Sequence, residues 1–163
     1  MRPIATSKKN KKSVYVETSV ISYLVDERIK IRSFIEITTR WWNTQRKYYM
    51  TFISPEVIAE LQKGNYPNKT KAIEHALTIQ LVERKKEIID IASIYMKNFL
   101  MPKELIGDAM HLAYASYFKI DFLLTWNCTH LANANKKEHI RILNSRLNLF
   151  VPEIITPMEL FID

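Results

Sequence analysis

SVYVETS, Ser13 to Ser19, runs from a short apolar stretch straight into polar residues. Val14-Tyr15-Val16 is β-branched and aromatic and bounded by Ser13 and Glu17, which predicts a strand. Thr18 or Ser19 then caps a helix through Val20, Ile21 and Leu24. The same pattern returns far downstream. Asp121 to Thr125, with Phe122-Leu123-Leu124 uninterrupted, reads as a strand buried on both faces, the kind found in parallel sheets. Between the two, a helix is expected over about Ile31 to Gln45 and a strand over Tyr48 to Ile53. Ser54-Pro55-Glu56 opens another helix with a capping serine, a first-turn proline and an acid at the positive end of the dipole, and Gly64 stops it. Lys69 to Leu77 reads as helix, Ile79 to Val82 as a short strand, and Glu87 to Leu100 as a helix with Ile88, Ala92, Tyr95 and Phe99 on one side. Pro102 starts a helix to about Phe118; a helix near Glu138 to Leu147 and a strand at Ile154-Ile155 close the chain. Strands alternating with helices predict an α/β fold, a mainly parallel sheet sandwiched between helices.

The chain has 163 residues, enough for one buried core and too few for two comfortable domains. At 47% hydrophobic and 25% charged it has the balance of a folded soluble protein. No run approaches the roughly 18 apolar residues of a membrane span. The single cysteine, Cys128, excludes an internal disulfide and a cysteine-built zinc site, and reads as a small buried hydrophobe. The expected compartment is the cytoplasm. The net charge is +7, but Arg2, Lys8, Lys9, Lys11 and Lys12 supply five of those charges, so the rest carries +2. Residues 1–12 are therefore read as a basic arm, solvated by default and able to attract phosphates, ahead of a domain over 13–163.

In open parallel sheets, ligands bind beyond the carboxyl ends of the strands. Glu17 with Thr18 and Ser19, and Thr125 with Asn127, stand at two such ends. Two more acids lie on helices at the margin of a buried face. Val57, Ile58 and Leu61 define the apolar side of the helix opened by Pro55; Glu60 sits about 100° from its centre and Glu56 nearly opposite. On the helix opened by Pro102, Leu105, Ala109, Leu112 and Ala113 face inward, Asp108 lies at the edge, and His111 is expected to point further outward. This favours Glu60 over Glu56 and Asp108 over Glu104. A border carboxylate alone is more often solvated or salt-bridged than a ligand. Several at one site repel each other unless a cation holds them, and hard oxygens suit Mg²⁺ or Mn²⁺ rather than zinc.

Val14 to Ser19 resembles the opening strand of PIN-domain nucleases, which usually ends in an acid followed by Thr and Ser. SPEVIAELQKG, Ser54 to Gly64, resembles their second motif; Asp108-Ala109-Met110-His111-Leu112-Ala113 the third; and Leu123-Leu124-Thr125-Trp126-Asn127 the fourth. Each motif is weak, but four in order from residue 14 to 127 make a fairly specific set. It is most similar to the toxin-like, VapC-type PIN proteins that read TWN in the fourth motif. The resemblance implies a three-layer α/β/α fold and a divalent-metal-dependent endoribonuclease, the toxin of a toxin–antitoxin pair. Carried over by position, Glu17, Glu60 and Asp108 are the metal ligands for Mg²⁺ or Mn²⁺. Asn127 stands where a fourth acid is usual, its carbonyl able to hold a metal-bound water, and Thr125 and Ser19 are supporting hydroxyls. Glu17 replaces a commoner aspartate. RNA is the implied substrate, an antitoxin the implied protein partner, and a homodimer a family habit. The alternative is a catalytically weak PIN-like module that binds RNA or a protein partner, which the missing fourth acid favours. The first strand lacks the Gly-rich phosphate loop that a nucleotide-binding regulator would need.

The remaining candidates have plainer readings. Trp41-Trp42 and Trp126 belong to a core or interface, although they could stack on bases. His130 makes a structural hydrogen bond or contacts substrate. His75, His111 and His139 show no metal-site spacing. Lys63, Lys69 and Lys71 could track a phosphate backbone.

Overall fold

The computed structural model describes residues 10–98, 100 and 106–163. Residues 1–9 of the basic arm, and Phe99, Pro102, Glu104 and Leu105, lie outside the described residues. Among the described residues, five strands form one all-parallel sheet in the order β3-β2-β1-β4-β5. They are β1 (Ser13–Val16), β2 (Met50–Ile53), β3 (Gln80–Leu81), β4 (Phe122–Leu124) and β5 (Glu153–Ile155). Helices α1 (Thr18–Leu24), α2 (Arg32–Thr44), α3 (Pro55–Gln62), α4 (Lys69–Leu77), α5 (Lys86–Lys97), α6 (Ile106–Tyr117) and α7 (Ala134–Arg146) connect them. The architecture is the expected three-layer α/β/α sandwich. Strand β1 is central, paired in register with β2 (Tyr15 opposite Phe52) and with β4 (Val16 opposite Leu124). All four of its residues are buried, which is why its sequence reads as a continuous apolar run.

Helix boundaries differ from expectation where a side chain has another task. Glu17, not Thr18 or Ser19, caps α1. Ser54 occupies the cap position of α3 but makes no capping bond, because its hydroxyl is bonded to Tyr15. Helix α7 begins earlier than Glu138, since Asn133 Oδ1 accepts from the N–H groups of Asn135 and Lys136. Strand β2 starts at Met50, after a 3₁₀ turn over Arg46–Tyr48. Gly64, at φ +73°, lies just past the end of α3, as expected.

One helix departs from amphipathic logic altogether. Every residue of α6 from Ala109 to Ser116 is buried. Over this stretch the helix is enclosed on all sides, and His111 and Ser116 find their hydrogen-bond partners inside the protein.

Candidate functional site

The sheet order reverses between β1 and β4. From β1 the chain moves through β2 to β3 on one side; β4 and β5 lie on the other. The carboxyl ends of strands at such a reversal splay apart and leave a crevice. Glu17 and Thr125 stand on its two lips, immediately after β1 and β4.

Glu17 continues the ladder through its N–H, which donates to Leu124 O at 3.0 Å. Its side chain then turns into the crevice, and the residue is only 5% exposed. One oxygen, Oε2, accepts from the Ser19 N–H at 3.1 Å, from the Thr125 hydroxyl at 2.8 Å and from the Ser19 hydroxyl. Ser19 Oγ in turn accepts from the Trp126 N–H at 2.9 Å, tying the two lips together. A carboxylate oxygen so supplied with donors is fixed in place, and Oε1 is left to face His111 Nε2 at 3.9 Å.

Glu60 arrives from α3, with its side chain about one third exposed (30%). Its Oε1 lies 2.8 Å from His111 Nε2. Room for that carboxylate exists because α6 carries Gly107 beside it: a Cβ there would stand 2.7 Å from Glu60 Oε1. His111 is fully buried, and its other nitrogen, Nδ1, is bonded to the Tyr15 hydroxyl at 2.6 Å. That hydroxyl is bonded to Ser54 Oγ, also at 2.6 Å. Ligand atoms of Glu17, Glu60 and His111 all lie within 4.8 Å of one another, the one such grouping of three among the described residues.

Asp108 occupies the adjoining flank. Its Oδ2 accepts from Asn127 Nδ2 at 2.9 Å. Asn127 Oδ1 accepts from the His130 N–H at 3.0 Å, and the Asn127 N–H donates to Thr125 Oγ1 at 2.9 Å.

The electrostatics follow from burial and crowding of acids. Burial, then the charge of Glu17, raise the pKa of Asp108 above the usual carboxylate value, against the opposing pull of His111, His130 and Asn127. Burial also works against the charged form of Glu60, but the hydrogen bond and charge of His111, with smaller help from Thr18 and Lys63, together lower its pKa. For His111 burial is again the largest single influence and favours the neutral ring. Glu60, Glu17 and Asp108 outweigh it and raise the pKa. The free oxygens of the acids are the donor set a hard divalent cation takes, so the residues fit such an ion.

No known family profile matches the sequence, and no curated protein matches it either. Solved structures do match by shape. A toxin–antitoxin complex from Klebsiella pneumoniae aligns over 88% of this chain and 97% of its own, with a TM-score of 0.55 at 15% identity. VapBC-1 from nontypeable Haemophilus influenzae aligns over 90% and 98%, with a TM-score of 0.53 at 19% identity. VapC20 of Mycobacterium tuberculosis, a toxin that cleaves the sarcin–ricin loop, aligns over 72% and 92%, with a TM-score of 0.52 at 14% identity. The fold is PIN-like.

Within this PIN-like fold, Glu17, Ser19, Thr125, Asn127 and Asp108 are joined by direct hydrogen bonds. Glu60 reaches the same crevice through His111, while Glu56 pairs with Arg84 at 3.3 Å. Asp108 stands outside the group formed by Glu17, Glu60 and His111. His111 does not point outward as expected. Its burial follows from the enclosure of α6, which a stripe drawn through Ala109, Leu112 and Ala113 could not reveal. The signal was its spacing, one helical turn from Asp108 and so on the same side. Tyr15, Ser54 and Gly107 were likewise read as strand, cap and helix, with no hint of the crevice. Cys128 is exposed, contrary to the expectation of burial. Trp41 is buried and Trp126 is half-buried, stacked against Tyr23 with its Nε1 donating to Thr38, in keeping with a packing role.

Proposed function

We propose that the protein is a divalent-metal-dependent endoribonuclease acting as the toxin of a toxin–antitoxin pair. The observation that carries this reading is the convergence of Glu17 and Glu60, with Asp108 alongside, at the sheet's switch point. The likeness in fold to the Klebsiella and Haemophilus toxin–antitoxin proteins and to the Mycobacterium toxin that cleaves the sarcin–ricin loop supports it. An antitoxin is accordingly the proposed protein partner, RNA the substrate, and a homodimer the proposed assembly.

Glu17, Glu60 and Asp108 would hold Mg²⁺ or Mn²⁺. Such an ion lowers the pKa of a bound water and offsets charge on the phosphate. The chain's own residues do the rest. Ser19 and Thr125 fix one oxygen of Glu17 so that the other faces the crevice. Asn127 holds Asp108 by its amide while its carbonyl is engaged by the His130 N–H, so it orients a ligand and supplies no charge of its own. Lys63, whose charge helps lower the pKa of Glu60, is the lysine proposed to meet a phosphate backbone.

The lack of charge at Asn127 favours a second reading, a module that binds RNA or an antitoxin without cutting. Cleavage of single-stranded RNA across a Mn²⁺ titration separates the two. The nuclease reading expects metal-dependent cutting that Glu17→Gln and Asp108→Asn each abolish. RNA bound but uncut at every metal concentration would leave the binding module in its place.

A further inference from the structure

Two carboxylates at the switch point make an all-oxygen cation site, but a fully buried imidazole stands within reach of both. We propose that His111 Nε2 is itself a ligand, giving the centre a Glu17–Glu60–His111 donor set that prefers first-row transition ions to Mg²⁺. The inference rests on the metal-centre reading above and departs from it in the identity of one ligand and hence of the ion.

The geometry is specific. Nε2 lies 2.8 Å from Glu60 Oε1 and 3.9 Å from Glu17 Oε1, with one donor atom from each of the three residues inside a 4.8 Å span. Donors sharing one ion stand about 3 Å apart when adjacent and about 4 Å when opposite, given metal–ligand bonds slightly over 2 Å. The ring cannot turn away, because Tyr15 holds Nδ1 and Ser54 holds Tyr15, all of them buried. A partner on the far nitrogen is how proteins orient a metal-binding histidine. Two further features serve the same point. Glu17 has its Oε2 saturated by donors, so Oε1 is the oxygen available. Glu60 is partly exposed, so the outer end of the group is open to solvent. On binding, the ion takes the place of the proton shared by Nε2 and Glu60, and that proton leaves to solvent.

A nitrogen donor changes which ion is held. Mg²⁺ favours oxygen ligands and dehydrates reluctantly, whereas affinity of mixed N/O sites rises along the first-row series from Mn²⁺. Mn²⁺ should therefore bind roughly tenfold or more tightly than Mg²⁺, and His111→Gln should narrow that ratio to within about threefold.

Electron spin-echo spectroscopy of Mn²⁺ bound to the full chain reads the ligand directly. The expected result is nitrogen coupling that changes isotope in ¹⁵N-histidine-labelled protein and persists in His130→Gln, the other histidine near the crevice. No change at the proposed ligands is needed for this arm, so a poorly folding His111→Gln does not blunt the test. Coupling that disappears in His130→Gln would overturn the proposal. Bound Mn²⁺ without nitrogen coupling would overturn it too, while leaving the carboxylate centre standing. Failure of Mn²⁺ to bind at all would remove both.

Discussion

At Gly107 an added Cβ would stand 2.7 Å from Glu60 Oε1, too close for any real contact. The obstacle is a side-chain tip, so Gly107→Ala should displace the carboxylate and leave the backbone alone. Alanine also raises helix propensity by up to about 1 kcal/mol, which offsets strain in α6. The expected outcome is a nearly unchanged melting temperature with Mn²⁺ affinity down about tenfold, equivalent to about 1.4 kcal/mol. Calorimetric titration checks it, and an undiminished affinity would show that Glu60 holds no ion. Asn127 makes the opposite kind of prediction. Its amide donates to Asp108, whose pKa burial and Glu17 already raise. Asn127→Asp exchanges that donor for a second carboxylate. Without metal the variant should lose about 1–2 kcal/mol of stability. With Mn²⁺ it should gain more than the parent, since the ion has one more charge to satisfy. Thermal melts with and without Mn²⁺ decide; equal metal responses would place residue 127 outside the influence of the ion.

Four buried or half-buried groups, Ser54, Tyr15, His111 and Glu60, form one hydrogen-bonded line from the head of α3 through β1 and α6 back to α3. Its ionic end makes stability pH-dependent. His111 has a folded pKa raised above its ordinary 6.5, so its contribution is complete below that value and is lost as pH rises through the folded one. Asp108 is raised as well, so it too favours folding less as it ionises. Glu60 is lowered, and its contribution is lost only as pH falls below the ordinary carboxylate range. Metal-free protein should therefore lose resistance to urea as pH climbs past 6.5, and His111→Gln should flatten that decline. An equally steep decline in the variant would assign the effect elsewhere. This line of groups also marks the limit of sequence reading. The strand β1 was legible because burial on both faces leaves an uninterrupted apolar run. The role of Tyr15 within it was not, because a tyrosine that fills a strand and one that anchors a histidine have the same local pattern. Helix α6 failed for a related reason: a periodic stripe assumes an outward face, and α6 has none between Ala109 and Ser116.

Across the whole molecule, the alternation of strands and helices was enough to predict a parallel sheet, and with it which strand ends would share a crevice. Glu17 and Thr125 were legible as site candidates for that reason alone. The strand order was not legible, and it is the reversal between β1 and β4 that makes their shared edge the binding place. Topology also bears on the basic arm. Parallel strands put all amino ends on the side opposite the crevice. Lys12 and Ser13 are bound to Asp121 there, at the start of β1 and just ahead of β4, and Lys11 donates to Lys47 O. Lys63, by contrast, lies close enough to help hold down the pKa of Glu60. If RNA lies over the crevice, each lysine that meets a phosphate adds about 0.7 to the slope of log affinity against log salt for a single strand. Lys63→Gln should thus lower that slope by about 0.7, and Lys11→Gln with Lys12→Gln should leave it unchanged. Binding of a short single-stranded RNA, measured with metal chelated so that nothing is cut, gives both slopes. A slope that responds to Lys11 and Lys12 and ignores Lys63 would move the RNA to the amino ends of the strands, away from every acid in the proposed centre.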